Sequence, residues 1–328
     1  MTRLGQIGRM AALSLGGLAL GMSGAAAQSS PAAGYPNKFI RLIVPYTAGG
    51  GTDVVGRVVG EKLAERLGQP VVVDNRPGGG ARVGVEYAAT QAPDGYTLLI
   101  AGGNEMAINP LIYNVSYSAA QSFMPLTIAI EMPLILLVPK DHPAKTVAEL
   151  IAWSKANPDK SNYATTAAGF TLPFELFKLK TGTQATRVAY RSVADGSVAL
   201  LNGQAQMAMF TPPGIVNQVK QGQVRALAVT SPSRSPDLPD VPTLKELGID
   251  VSVTNWNGFF VPAGTPQPIY DKLVAETRHV VLNEARDKLR SMFTNPVAKT
   301  PEDTTRHIES DLKLWRTVID GAKLKLGD

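Results

Sequence analysis

The sequence predicts an α/β fold with two domains, each a mostly parallel sheet flanked by helices, and three observations support it. Short apolar runs such as Ile40–Val44 and Val71–Val73 alternate with segments whose apolar residues recur every three or four positions. These are the patterns of buried strands and amphipathic helices in a doubly wound sheet. Small-residue loops rich in glycine follow several strands. A chain of 328 residues can bury a large core, and cores of that size usually divide into two domains.

The first 27 residues have the pattern of a secretory signal peptide, so we expect that they are not part of the fold. Arg3 and Arg9 form its positive end, Met10–Met22 its short apolar middle, and Ala25–Ala27 a small-residue cleavage signal. Cleavage after Ala27 removes both arginines from a net charge of +5, which leaves +3. Without a Lys/Arg cluster, so mild a charge does not predict nucleic-acid binding. Zero cysteines in an exported chain mean that the fold depends on its core instead of disulfides.

The first strand–loop–helix unit predicts an anion-binding turn. The strand Ile40–Val44 leads into Thr47–Thr52, whose small side chains let backbone N–H groups approach a bound group closely. No Gly-Lys-Ser/Thr ends this loop and its glycines lack the dinucleotide spacing, so a small carboxylate is favoured over a nucleotide. A tight turn without a ligand is the alternative. We interpret Asp53 as a first-turn residue of the helix that ends before Gly68, because a carboxylate facing the ligand would repel it.

A second and a third unit complete the first half of the sheet. Val71–Val73 is a buried strand, Val83–Ala92 a helix and Tyr96–Ile100 a third strand. Ligands of doubly wound sheets lie beyond the carboxyl ends of the strands. The loop after the third strand, which contains Gly103 and Asn104, therefore forms a second predicted wall of the site.

Several phrases of the sequence, in order, resemble the substrate-binding proteins of tripartite tricarboxylate transporters, the Bordetella-uptake-gene type of periplasmic receptor. They are IRLIVPYTAGGGTDVVGR, LGQPVVVDNRPGGG, APDGYTLLIAG, AINPLIY, ELFKLKTG, VRALAVTSPSRSPDLPDVPTLKELG and GFFVPAGTPQPIYDKL. The resemblance implies a two-lobed periplasmic-binding-protein clamshell, type II-like, with carboxylate ligands in the cleft. It does not identify the ligand.

The predicted lobes are discontinuous. Residues 35–131 and 253–328 form lobe 1, residues 132–252 form lobe 2, and the hinge strands lie near Glu131 and Val253. Lobe 2 repeats the opening chemistry: the small-residue loop Thr166–Thr171 precedes a helix predicted over Pro173–Leu179, and it is the natural opposing jaw. An ordinary strand–helix turn is the alternative. The C-terminal helices are predicted to pack on the outside of the fold, with Trp315 in their apolar stripe.

Three more positions in lobe 2 bear on the ligand. Arg191 stands at a helix N-terminus beside Ser192, and its planar fork suits a carboxylate, although an exposed arginine without a ligand fits equally well. Relatives often carry Asp where this chain has Thr211, and an Asp suits an ammonium, so its loss disfavours amino acids. Relatives often carry Ser or Thr with a following His in the loop where this chain has Ala168–Thr171. Phe170 in this loop either faces an apolar or aromatic ligand body or fills a gap between loop and helix.

The predicted function is that of a periplasmic solute-binding protein which captures a small organic carboxylate, aromatic or dicarboxylic, and delivers it to a tripartite tricarboxylate-type permease. A receptor for a signalling partner is one alternative. A carboxylate-processing enzyme is another, although neither Gly-x-Ser-x-Gly nor His-Glu-x-x-His occurs. We expect a monomer without cofactor, metal or nucleic acid. The predicted ligand-binding residues are Tyr46, Thr47, Ala48, Gly49, Gly50, Gly51, Thr52, Gly103, Asn104, Thr166, Ala168, Gly169, Phe170, Arg191, Ser192 and Thr211.

Overall fold

The computed structural model describes residues 34–324, so the predicted leader and its cleavage site lie outside the described residues. Within that range the chain forms eleven strands, eleven α-helices and two short turns of other helix types. The strands are β1 (Ile40–Val44), β2 (Val71–Asn75), β3 (Thr97–Gly102), β4 (Phe123–Pro133), β5 (Ile135–Pro139), β6 (Asn162–Thr165), β7 (Thr186–Ala189), β8 (Met207–Phe210), β9 (Val224–Val229), β10 (Thr254–Pro262) and β11 (Asn295–Pro296).

The helices alternate with these strands over most of the chain. They are α1 (Gly51–Leu67), α2 (Arg82–Ala89), α3 (Asn109–Ile112), α4 (Ala119–Ser122), α5 (Val147–Ala156), α6 (Ala168–Thr181), α7 (Val193–Leu201), α8 (Val216–Lys220), α9 (Gln267–Leu282), α10 (Arg286–Ser291) and α11 (Pro301–Ala322). A π-helical turn covers Asn104–Ile108 and a 3₁₀ turn covers Pro212–Gly214. Among residues 34–324, no helix has both the length and the apolar content needed to cross a membrane.

The strands form two mixed sheets, which confirms the predicted two-lobed α/β class. The first sheet has the order β11-β4-β10-β3-β1-β2, and the second has the order β7-β6-β8-β5-β9. Strands β1, β2, β3 and β4 run in one direction, with β10 antiparallel between β3 and β4. In the second sheet only β5 opposes its neighbours. We call these sheets with their helices lobe 1 and lobe 2.

Helices cover both faces of the first sheet. Leu42 and Val44 pack with Val59 of α1, whereas Ile43 between them packs with Val85 of α2. Successive strand residues point to opposite faces, so a continuous apolar run is what a strand covered on both sides requires. The apolar run that predicted β1 therefore also reflects the layered architecture.

The chain passes between the lobes at two adjacent points, which Thr230 joins. Leu134 separates β4 from β5, and Val253 immediately precedes β10. The buried Thr230 hydroxyl accepts a hydrogen bond from the Leu134 N–H at 2.9 Å and donates one to the Val253 carbonyl at 2.7 Å. One side chain thus satisfies backbone groups of both crossovers.

Helix α11 contacts both lobes. Ile308, in its first half, packs with the core of lobe 1, but Trp315 and Val318 are buried with Phe174 and Phe177 of lobe 2. The predicted interpretation of Trp315 as a core residue agrees with this packing, whereas a purely outer position for the helix does not. The assignment of residues 253–328 to lobe 1 stays a prediction.

Candidate functional site

The carboxyl ends of three parallel strands bring the predicted walls of lobe 1 together. Val44, the last residue of β1, pairs with Asn75 of β2, and Ile43 pairs with Leu99 of β3. The loops that follow these strands therefore leave the sheet at the same edge. This edge carries Thr47–Thr52 and the turn that contains Asn104.

The loop after β1 leaves the N-terminus of α1 without a side-chain cap. Gly49 has φ +84°, the left-handed conformation that glycine adopts without strain, and Gly50 is the extended N-cap residue. No side chain within the described residues caps α1. The N–H groups of its first turn have no partner within the helix and lie at the positive end of the helix dipole, so they can bind an anion. Thr47, Ala48, Gly49 and Gly51 are exposed, and Gly50 and Thr52 are half-buried.

Asp53 holds this loop from inside and does not face the cleft. Its carboxylate is 1% exposed and accepts hydrogen bonds from Gly49 N at 2.8 Å, Arg57 Nε at 2.9 Å and Asn75 Nδ2 at 2.8 Å. Burial by itself raises the pKa of Asp53, but the hydrogen bonds from Arg57, Gly49 and Asn75 together lower it below its usual range. Asn75 Nδ2 also donates to the Tyr46 carbonyl at 3.0 Å.

Tyr46 and Asn104 converge on a buried carboxylate that was not among the predicted residues, Glu105. The Tyr46 hydroxyl and Asn104 Nδ2, the latter at 3.1 Å, both donate to Glu105 Oε1. The Gly102 N–H donates to Glu105 Oε2 at 2.7 Å. Burial raises the pKa of Tyr46 well above its usual range, and the negative charge of Glu105 raises it further. Tyr46 is therefore a neutral phenol whose proton is directed at Glu105.

In lobe 2 the predicted opposing loop is the start of a helix. Helix α6 begins at Ala168, five residues before the predicted Pro173, so the prediction of a longer loop is wrong at this boundary. Pro173 lies inside the helix, near its start. Within residues 34–324 no side chain caps α6, whose N-cap residue is the extended Ala167. Thr166, Ala168 and Gly169 are half-buried at this end.

Phe170 packs on its own lobe. Its ring lies edge-on to Phe210, with ring centroids 5.8 Å apart, and it joins the apolar clusters on both faces of the second sheet. This packing agrees with the alternative in which Phe170 fills a gap between loop and helix, and it explains why the side chain is half-buried.

The remaining predicted residues follow parallel strands at the same edge of the second sheet. Thr165 of β6 pairs with Ala189 of β7, so Arg191 and Ser192 leave the sheet beside Thr166. Thr211 follows β8, which is parallel to β6. The Ser192 hydroxyl caps α7 by accepting from Asp195 N at 3.1 Å, and it donates to the Asp195 carboxylate at 2.8 Å. Ser192 is thus committed to its own helix, and Arg191 is exposed.

The lobes approach each other at Asn104 and Gly169. A Cβ added to Gly169 would lie 3.8 Å from Asn104 Oδ1. Gly103, Asn104 and Gly169 line a cavity between the lobes of about 20 Å³, which is room for about one water molecule. Glu105 thus links Tyr46 to Asn104 through hydrogen bonds, and Asn104 in turn faces the start of α6.

Sequence reasoning missed two side chains of this region besides Glu105. Asn75 is the last residue of β2, at the edge of the sheet where ligands bind. A polar residue at this position is a signal that could have identified it as a site residue. Asn257 is 7% exposed and places Nδ2 3.5 Å from Thr52 Oγ1. These two residues are 205 positions apart in the chain, so no local pattern indicates the contact. Among residues 34–324, no three acidic or histidine side chains are placed to hold a metal ion.

Two α/β lobes joined by crossover strands, with an uncapped helix N-terminus on each side of the cleft, define a two-lobed periplasmic solute-binding protein. The family described as "Tripartite tricarboxylate transporter family receptor" matches residues 55–324, and the chain belongs to this family. BugT of Bordetella pertussis is 34% identical over 304 residues, which cover 89% of this chain and 92% of BugT.

Solved structures show the same architecture. An R. palustris protein solved with adipate has a TM-score of 0.78 at 32% identity and covers 88% of this chain and 98% of its own. MatC from Rhodopseudomonas palustris, solved with bound malate, has a TM-score of 0.74 at 27% identity. The match covers 87% of this chain and 100% of the MatC chain. These similarities extend over both lobes, so they support the clamshell as a whole.

Proposed function

We propose that this receptor captures a small dicarboxylate between its lobes and delivers it to the permease subunits of a tripartite tricarboxylate transporter. One observation carries the proposal: α1 of lobe 1 and α6 of lobe 2 begin without side-chain caps in the described chain, whereas Ser192 and Asp195 occupy the start of α7. An uncapped positive helix end on each lobe matches the two carboxylates of one ligand. No covalent step is required.

The magnitudes are consistent with this arrangement. Each hydrogen bond to a charged carboxylate contributes roughly 1.5–3 kcal/mol net. About four such bonds, shared between two carboxylates, reach the ~8 kcal/mol that micromolar binding needs. Closure of the lobes and lost ligand freedom consume part of this energy, so contacts with the body of the ligand must contribute as well.

Relatives support the class of ligand. The two R. palustris structures are described with adipate and with malate, and both compounds are dicarboxylates. They differ in length and in the presence of a hydroxyl group, so they do not specify the body of the ligand for this chain. We further propose that the mature protein starts after Ala27, works as a monomer in the periplasm and docks to its permease when closed.

The test is calorimetry with matched acids at one pH and salt concentration. Succinate, glutarate and adipate, each paired with the monocarboxylate of the same carbon number, isolate the second carboxylate. We expect the best dicarboxylate to bind at least about tenfold more tightly than its partner, because a second set of charge-assisted hydrogen bonds is made. Equal affinities within every pair would contradict the proposal.

A further inference from the structure

The orientation of two cleft side chains is fixed by the buried carboxylate behind them. Asn104 Nδ2 donates to Glu105 Oε1 at 3.1 Å and lies 3.4 Å from Asn109 Oδ1. Asn109 is fixed in turn, because its own Nδ2 donates to the Gly80 carbonyl at 2.9 Å. Both amide hydrogens of Asn104 are therefore committed to oxygen atoms on its own lobe.

The hydroxyl of Tyr46 is committed in the same way. Its single hydrogen points at Glu105 Oε1, so the phenol oxygen can only accept another hydrogen bond. Glu105 is 1% exposed and also accepts from Gly102 N, which leaves little room for it to turn. Its carboxylate cannot donate, so it sets the polarity of both neighbours.

What remains available to a ligand is a pair of acceptors. Asn104 Oδ1 faces the start of α6, where a Cβ on Gly169 would be 3.8 Å away. Asn104 follows β3, the strand beside β1, so a ligand held between the starts of α1 and α6 would pass this oxygen between its two carboxylates. Because a bare methylene chain would leave the acceptor unpaired at a partly buried position, such a ligand carries a penalty.

From this geometry we infer that Asn104, oriented by Glu105, is a specificity-determining residue that selects dicarboxylates with a hydroxyl group on the carbon chain. The inference rests on the proposed function and adds the body of the ligand to it. A hydroxyl group on the ligand is an uncharged donor that can pair with Asn104 Oδ1. An ammonium would need a free carboxylate within reach. Both oxygens of Glu105 already accept hydrogen bonds and the residue is buried. Asp311, which lines the same cavity, accepts from Trp256 Nε1 at 2.9 Å.

The substitution Glu105→Gln inverts this polarity with almost no change in shape. The glutamine oxygen retains the bond from Gly102 N, which places its NH₂ group where Oε1 was. Tyr46 must then accept from that group and release its own hydrogen toward the cleft. The Asn104 amide then rotates so that its oxygen accepts from the glutamine and its NH₂ group faces the ligand. This rotation breaks the contact between Asn104 Nδ2 and Asn109 Oδ1, which at 3.4 Å is longer and weaker than the 3.1 Å bond to residue 105. The variant site therefore favours ligand acceptors such as a keto oxygen.

The experiment measures binding of 2-hydroxyglutarate, glutarate, 2-oxoglutarate and glutamate to the mature chain, with the malate–succinate and 2-hydroxyadipate–adipate pairs to cover other lengths. In the unsubstituted protein we expect the hydroxy acid of the best pair to bind about tenfold more tightly than its methylene partner. In the Glu105→Gln variant the hydroxyl can still accept from the Asn104 NH₂ group, so the discriminating change is in the keto acid, whose affinity we expect to rise at least about tenfold relative to the hydroxy acid.

A second variant, Asn104→Ala, removes the acceptor together with the NH₂ group that donates to Glu105 and Asn109. We expect it to lose the preference for the hydroxyl, because the hydroxy acid loses its partner and the methylene acid no longer leaves an acceptor unpaired. Equal binding of hydroxy and methylene acids by the unsubstituted protein would overturn the inference and leave dicarboxylate binding intact. Tightest binding of glutamate would also overturn it. Failure to bind any acid of the panel would overturn both proposals.

Discussion

Single residues at this site act mainly by holding backbone and side chains in place. Asp53 is the clearest case: a carboxylate in the first turn of a helix usually interacts with the helix dipole, but this one turns back to the loop before it. Its bonds to Gly49 and Asn75 tie the loop after β1 to the end of β2. These hydrogen bonds hold the loop that precedes the exposed N–H groups of α1.

We predict that Asp53→Asn destabilises the protein in a pH-dependent manner. The pKa of this carboxyl is lower in the folded protein, so its contribution is present above about pH 4 and is lost as the pH falls through the folded pKa. The free energy of unfolding should decrease by about 1–3 kcal/mol at pH 7, with the difference shrinking near pH 3. Urea titrations at both pH values measure it. Asp74→Asn is the control, since Asp74 pairs with arginines on the surface. A pH-independent deficit would contradict the assignment.

At the scale of elements, the decisive feature is how the helices that face the cleft begin. Thr146, Ser192 and Thr300 cap α5, α7 and α11 with their hydroxyl groups. Helix α1 starts with glycine and α6 with alanine, residues that cannot cap through a side chain. Absence of a cap costs each helix some stability but leaves its first N–H groups available to a ligand.

We predict that Gly51→Pro weakens dicarboxylate binding while preserving the fold. Gly51 is the first residue of α1, a Cβ there meets no atom within 4 Å, and Gly50 before it is extended, as proline requires. The change removes one N–H donor, so affinity for adipate or malate should fall about tenfold or more. Gly51→Ala is the matched control, because it adds a carbon and keeps the N–H; we expect less than about a threefold effect. Ala168→Pro makes the same deletion on α6. Equal affinities of the Gly51→Pro and Gly51→Ala variants would show that the Gly51 N–H does not bind the ligand.

At the scale of the whole molecule, two lobes are coupled through a narrow connection and one long helix. The crossovers at Leu134 and Val253 meet at Thr230, and α11 packs on the cores of both lobes. Closure of a clamshell is a hinge motion in which few residues change their backbone angles. We expect those residues to lie next to Thr230, whose hydrogen bonds preserve the connection during the motion.

We predict that Thr230→Val is strongly destabilising and that Thr230→Ser is not. Valine has the same shape but leaves the Leu134 N–H and the Val253 carbonyl unpaired in a buried position, which should cost about 2–4 kcal/mol of unfolding free energy. Serine retains the hydroxyl and loses one methyl group, a change of about 1 kcal/mol. Urea unfolding of both variants without ligand tests this. Similar losses for the two would mean that packing, and not hydrogen bonding, joins the crossovers.

Local patterns in the sequence determined the elements and their class. A continuous apolar run ended by Pro45, then glycines, then a four-residue period can form only a limited set of structures, and strand–loop–helix is the simplest. The caps at Thr146 and Ser192 are equally local, since each hydroxyl accepts a hydrogen bond from the backbone N–H three residues away. The family followed from phrases that span both lobes, and with it the two-lobed architecture.

Tertiary structure alone decided which polar groups serve the ligand and which serve the fold. Nothing in the order of residues shows that Glu105 turns inward and commits Tyr46, or that Asn257 reaches Thr52 from the other end of the chain. The position of Trp315 in the core of lobe 2 is of the same kind. Periodicity and capping act over a few residues and leave a pattern in the sequence. Contacts between distant segments depend on how sheets and helices pack, so they leave none.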